Sequence, residues 1–204
     1  MARPTNRADR RAQIVAGLRV VLAEVGYERA SIVAIARAAR LTPGLLHYHF
    51  VRKQDILVAL VEELESVVCA REAALLASAP DTPRARLGAL LDAHLAPGPG
   101  ADGEALAAWV AVGSEAAHLP EVREVYAAAM ERTRARLHAA ILACLEAEQR
   151  SAHAAPALTA ACLVFLEGSA RLGVAAPSVL PAGFAAPTLR ALLDAGIAAA
   201  PAAC

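Results

Sequence analysis

The chain has 204 residues, 57% of them hydrophobic and only 3% aromatic, with 20 Lys+Arg balanced by 20 Asp+Glu. That length suits one or two domains with a real core, and the core has to be built from Ala, Leu and Val. Long runs of strong helix formers, without alternating Val/Ile/Thr segments, exclude a β-rich protein and predict an all-α fold of about nine helices.

Targeting and redox signals point to the cytoplasm. The N-terminal MARPTNRADRR is basic, but no unbroken apolar run follows it, so no secretory signal is read there. The weakly charged stretches near the C-terminus are interrupted by Arg171, Pro177, Pro181, Arg190 and Asp194, and read as buried helices with no membrane span. Cys69, Cys144, Cys162 and Cys204 are far apart, with no C-x-x-C. They indicate neither a metal site nor a cofactor, and read as inert thiols in a reducing compartment. The neutral total hides an asymmetry: residues 1–55 hold ten Arg/Lys against four Asp/Glu, and residues 56–204 hold ten against sixteen. A basic first quarter on an acidic remainder suggests a nucleic-acid end and a different partner elsewhere.

In chain order, Ile14, Leu18, Val21, Leu22 and Val25 give residues 8–25 helical spacing, ended by Gly26. Ser31 is a candidate N-cap for a second helix with Ile32, Ile35, Ala36 and Ala39 inward. A break at Arg40-Leu41 precedes Thr42-Pro43, an N-cap followed by a proline at the first helical position, which open a short helix to His49. A long helix is predicted from 53 to 78, with Ile56, Leu57, Leu60, Val61, Leu64 and Val68 on one side. Further helices are predicted at about 83–96, 104–117, 120–149, 156–175 and 184–199. PGPGADG (97–103) separates two of them as a loop. The expected organisation is a helix-turn-helix unit at 1–55 and a helical bundle at 56–204, with the 53–78 helix shared as a lever.

Two short helices either side of a tight break form the layout that places one helix in a DNA major groove. Leu18, Leu22, Ile35, Ala36, Leu46, Phe50 and Leu57 can supply the scaffold, and Ala36 and Ala39 permit close helix approach. Pro43 and Gly44 form the first turn of the reading helix, whose amides favour a phosphate. Leu45, His47 and Tyr48 would point outward, a leucine toward thymine methyls and the polar rings toward phosphates or base edges. Lys53, the only lysine, starts the next helix, where the dipole also favours an anion. His49 reads as packed at the base of the unit. Arg10 and Arg11 read either as phosphate contacts or as solvated.

The stretch GYERASIVAIARAARLTPGLLHYHFVRKQDIL resembles the N-terminal signature of the TetR family of transcriptional regulators. The resemblance implies that Ser31, Thr42, Leu45, His47, Tyr48 and Lys53 lie at or near DNA. It also implies a homodimer on a near-palindromic double-stranded operator, usually a repressor released by a small effector. Arg40 stands where the turn usually has Gly; if left-handed there it costs ~1 kcal/mol, which a phosphate contact would offset. Ala34 replaces a common acidic residue, removing a capping box. His47 replaces the commoner Tyr, altering the expected base preference.

The stretches AWVAVGSEAAHLPEVREVY and LVFLEGSARLGV resemble, more loosely, the C-terminal type of betaine-pathway repressors. This does not make choline the ligand: a quaternary ammonium favours an aromatic cage, and Trp109, Tyr126 and Phe165 are the main aromatics available. Pocket candidates are Leu64, His94, Trp109, Val112, Tyr126, Met130 and Phe165, each of which could equally fill core; the effector is unidentified. Glu115 and His118 form one Glu-x-x-His pair, short of the two that a di-iron bundle needs, and read as a helix-end ion pair. The last two helices are apolar over more of their circumference than one core requires. Leu163, Leu166, Ala170, Val174, Leu189, Leu192, Leu193 and Ile197 are therefore candidates for a dimer interface. The expected function is a ligand-released dimeric repressor, not an enzyme. The alternatives are a constitutive repressor without ligand response, or a helical-bundle carrier or enzyme, for which no nucleophile–base set or paired metal-ligand motif is visible.

Overall fold

The computed structural model describes residues 6–95 and 102–203. The start of the basic N-terminus, most of the PGPGADG loop and Cys204 lie outside the described residues. The described chain forms nine α-helices: α1 (Asn6–Arg29), α2 (Ile32–Ala38), α3 (Pro43–His49), α4 (Lys53–Ser78), α5 (Pro83–Leu95), α6 (Gly103–Ala116), α7 (Pro120–Ala147), α8 (Ala155–Ala175) and α9 (Ala185–Ala199). The fold is all-α, and these bounds fall within two or three residues of those predicted, except at the C-terminal end of α1. There, Gly26 adopts φ 74° and breaks the helical geometry, and one further turn follows to Arg29.

Two compact units divide the chain, Met1–Ser66 with Asp102–Ala129 and Val67–Ala101 with Met130–Cys204. α4 and α7 contribute to both. The first unit contains more than the helix-turn-helix segment: α6 packs on α1, and the first turns of α7 join them. Its core is formed by Ile14, Leu18, Ile35, Leu46, Phe50, Ile56, Leu57 and Leu60, with Ala108, Val112 and Val122 from α6 and α7. Val25, expected inward, is exposed beside the break at Gly26. Close approach of α1 and α2 depends on Gly17: a Cβ there would meet Ala39 Cβ and Ile35 O at 2.9 Å.

The second unit packs α5, α7, α8 and α9 around Leu87, Leu91, Leu137, Ile141, Leu145, Cys162, Leu166, Leu189, Leu193 and Ile197. Burial pushes the Cys162 thiol up to about 12, so it stays protonated and inert. The segment after Ala200 pairs with the stretch that follows α7, Ser151 N–H donating to Pro201 O (2.7 Å) and Ala203 N–H to Gln149 O (2.9 Å).

Two expectations from the sequence do not hold in the structure. Leu166, Leu189, Leu193 and Ile197 are buried in the core of their own unit, so they cannot form an exposed face. The reason is the apolarity of α8 and α9 around most of their circumference, which hides from the sequence which side turns inward. The stretch Ala152–Ala175 is also not a buried helix. It is long and apolar enough to cross a membrane by length and composition, and only 17% of it is buried. Its outward side carries Val164, 74% exposed, with Gly168, Leu172 and Val174, while α9 exposes Leu192, Ala195 and Ala199.

Candidate nucleic-acid interface

The turn between α2 and α3 is built from local backbone chemistry. Ser31 caps α2, its Oγ accepting from Ala34 N–H at 3.1 Å. At the other end Leu41 N–H donates to Ala36 O (2.8 Å) and Arg40 N–H to Arg37 O (3.0 Å). These paired bonds are the Schellman closure, and they require a left-handed residue between them. Arg40 fills that place at φ 54°, so the ~1 kcal/mol cost expected of a non-glycine there is incurred. Gln13 on α1 ties the turn down, its Nε2 donating to Ala39 O at 2.6 Å. Thr42 then caps α3, its Oγ1 accepting from Leu45 N–H at 3.3 Å, with Pro43 at the first helical position.

On α3, Leu46 and His49 point inward and are buried, whereas Pro43, Gly44, His47 and Tyr48 are exposed and Leu45 is half-buried. Tyr48 is 76% exposed, and a Cβ at Gly44 would meet nothing within 4 Å. The sequence-predicted residues Ser31, Arg40, Thr42, Pro43, Gly44, Leu45, His47 and Tyr48 are thus brought to one short segment, with Arg40 exposed in the turn. Arg37, at the end of α2, is exposed as well. Sequence reasoning passed over it, although it lies off the apolar stripe formed by Ile32, Ile35 and Ala36.

Three cationic residues depart from expectation. Lys53 does not hold out its ammonium: Nζ donates to Tyr27 O at 2.8 Å and lies 3.9 Å from the centre of the Tyr27 ring. Burial lowers its affinity for the proton, and burial, Glu115 and Asp55 push the Tyr27 hydroxyl up to about 12. Lys53 therefore clamps the start of α4 to the broken end of α1. Arg11 is neither solvated nor presented to phosphate. Its Nη1 donates to His49 O (2.9 Å) and its guanidinium covers the Phe50 ring at 4.0 Å, closing the end of α3. Arg10 donates to Gln13 Oε1 (2.7 Å), the residue that holds the turn.

Two more tethers fix the same unit. Arg52 bonds Asp55 and reaches Glu121 at 3.0 Å, joining the starts of α4 and α7. Arg19 bonds Asp102, the N-cap of α6, at 3.1 Å. Glu115 acts electrostatically on Tyr27 and Lys53, and no ion pair to His118 is found among the described residues. Leu119 N–H and His118 N–H instead close α6 on the Glu115 carbonyl.

The seven pocket candidates fall in both units. Leu64 and Val112 are buried core of the first, where Trp109 and Tyr126 stack at 4.9 Å between centroids. In the second, Phe165 meets Phe184 at 6.0 Å, Met130 is half-buried, and His94 belongs to an interior polar cluster. A groove of about 820 Å³ opens elsewhere in the second unit, between the end of α4, α5 and α9. Its charged lining is already paired, Arg84 with Glu148 and Asp194, and Arg190 with Asp92.

Residues 14–60 match the family described as bacterial regulatory proteins of the tetR family. Residues 83–198 match the C-terminal part of BetI-type transcriptional repressors. The HTH-type transcriptional regulator BetI of Ectopseudomonas mendocina is 32% identical over 120 residues, covering 57% of this chain and 59% of that protein. Its counterpart in Rhizobium meliloti is 33% identical over 133 residues, covering 63% and 62%. The match thus spans less than two thirds of these relatives' length. Among solved structures, a transcriptional regulator from Pseudomonas aeruginosa PAO1 superposes with a TM-score of 0.78 at 20% identity, covering 96% of this chain and 94% of its own. One from Saccharomonospora viridis, crystallised with choline, gives 0.73 at 22%, covering 94% and 97%. These two share the fold. With both its N-terminal and its C-terminal segments matched, the chain belongs to the TetR family of transcriptional regulators.

Proposed function

We propose that the chain is a cytoplasmic, dimeric transcriptional repressor that binds a near-palindromic operator and is released from it by a small effector. The observation that carries this reading is the exposed face of α3, with Gly44, His47 and Tyr48 outward. Its orientation is set by two caps, a Schellman turn and the Gln13 and Arg11 tethers. In this reading the α3 amides and the Thr42 segment sit on a phosphate, Arg40 and Arg37 add backbone contacts, and His47 and Tyr48 meet base edges. Lys53 acts behind them, holding the scaffold.

The dimer forms through the outward sides of α8 and α9. Val164, Gly168, Leu172, Val174, Leu192, Ala195 and Ala199 form that face, with Leu163 and Ala170 at its border. Small residues there let two helix pairs approach closely, and covering it removes an exposed apolar stripe from water. Two heads must then match a helical repeat of ~34 Å or a multiple of it. The test is fluorescence anisotropy with selected duplexes. Wild type is expected to bind with strong salt dependence, and His47→Ala/Tyr48→Ala to lose at least tenfold of its sequence preference. An unchanged preference in the double variant would remove α3 from the interface.

A further inference from the structure

The segment that carries α2 and α3 lacks most of the side chains that read bases by hydrogen bonds. Residues 31–51 contain no Asn, Gln, Asp or Glu. Asn and Gln are the bidentate partners of adenine, and Asp and Glu accept from cytosine. The hydroxyls of Ser31 and Thr42 already accept the capping bonds of α2 and α3. Arg37 and Arg40 suit phosphate or guanine, and His47 and Tyr48 offer single hydrogen bonds. An A·T pair facing this segment has no bidentate reader. The feature left to recognise is the thymine C5 methyl, which projects into the major groove and is read by apolar contact.

Val33 is placed to make that contact. It is 64% exposed, and among the described residues of α2 and α3 it is the one large aliphatic side chain on the outside. Ile35 and Leu46 are buried, and Ile32 and Leu45 are half-buried. Ile35 and Ala36 turn into the core, so Val33 and Arg37, four residues apart, share the opposite side of α2. That strip continues into the turn, where Arg40 N–H donates to Arg37 O at 3.0 Å, and from there to the exposed start of α3. In a helix-turn-helix the first helix lies across the backbone beside the groove that the second enters. A valine one turn from Arg37 then stands next to the groove that holds the methyls. Val51 is more exposed, but it adjoins Arg52, whose guanidinium is held by Asp55 and Glu121. Two carboxylates beside it disfavour close approach of a polyanion.

We propose that Val33 is a specificity-determining residue that packs on the C5 methyl of one thymine in each operator half-site. The proposal rests on the DNA-reading role of α3 argued above and adds the chemistry of one contact. The test uses the full chain and the duplex enriched from a random library. Each symmetric pair of thymines in that duplex is replaced in turn by deoxyuridine, which removes the methyl and keeps the Watson–Crick edge. Burying one methyl contributes about fourfold in affinity (~0.8 kcal/mol), so the symmetric pair is expected to cost wild type about fifteenfold at one position. Val33→Ala is expected to bind the thymine and uracil duplexes within twofold of each other there, with the wild-type salt slope, since no phosphate contact is lost. Alanine is the better helix former and the position is exposed, so the variant keeps its fold. Val51→Ala is expected to retain the discrimination. A duplex indifferent to uracil at every position, discrimination kept in Val33→Ala, or discrimination lost in Val51→Ala instead would each overturn the assignment. A change of duplex shape caused by uracil would persist in Val33→Ala and so counts against it. Specific binding without methyl dependence removes the Val33 contact and leaves the repressor reading, whereas no specifically bound duplex at all removes both.

Discussion

Replacing Lys53 by alanine separates a scaffold role from a DNA-contact role. In the structure the ammonium donates to Tyr27 O at 2.8 Å and lies 3.9 Å from the ring centre. A charged hydrogen bond of this kind contributes ~1.5–3 kcal/mol, and a half-buried cation–π contact about 1 kcal/mol. Against these stands the cost of burying the ammonium, visible in its lowered proton affinity. The net loss expected in Lys53→Ala is about 2 kcal/mol. Trp109 is the only tryptophan and lies in the same unit as Lys53, so its fluorescence during urea unfolding reports the affected unit. The midpoint should fall with no change in slope, and Lys53→Met, which keeps the stem, should lose nearly as much. Under conditions where the variant stays folded, log K against log salt should keep the wild-type slope, because no phosphate contact is lost. Unchanged stability together with a slope reduced by about 0.9 would refute the clamp and restore Lys53 to the DNA surface.

Other outcomes follow from the same geometry. His94 titrates near 4 in the folded chain and near 6.5 when unfolded, so as pH falls the unfolded chain takes up the proton first. Its contribution is flat above 6.5 and destabilises by up to ~3 kcal/mol by pH 4; His94→Gln should lose that part of the pH dependence in urea titrations. Thr42→Ala removes the cap of α3 and should cost about 1 kcal/mol, read by the same fluorescence, and should weaken DNA binding as well. Leu192→Glu places a charge on the exposed face of α9 without touching the core. Sedimentation should show a monomer of wild-type helicity with lost operator affinity, and an unshifted dimer would move the interface elsewhere.

Much of the fold was legible because punctuation residues carry their own mechanism. Pro43, Pro83 and Pro120 open helices, and Ser31 and Thr42 cap them. Of the three α3 residues read as outward, His47 and Tyr48 are exposed and Leu45 is half-buried. What remained hidden were choices between partners. A lysine at a helix start has the same sequence signal whether it faces a phosphate or a tyrosine carbonyl behind it. On α9, Leu189, Leu193 and Ile197 share a stripe, but Ala-rich surroundings leave the sequence silent on whether that stripe meets its own unit or a second chain. The interior polar cluster of His94 with Arg71, Glu72, Thr133 and Arg136 did leave a trace. Leu64, Val68 and Glu72 follow at four-residue steps on α4, as do Thr133, Leu137 and Ile141 on α7. A carboxylate continuing an apolar stripe is the signal that could have found it.

The central claim is that α3 reads DNA in a two-fold pair. Selection from a random double-stranded library with the full chain, sequenced after successive rounds, tests it most directly. The account predicts enrichment of a near-palindrome whose half-sites are about one helical turn or a multiple apart, lost when His47 and Tyr48 are replaced by alanine. No enrichment over several rounds, or a motif unchanged in that double variant, would contradict it.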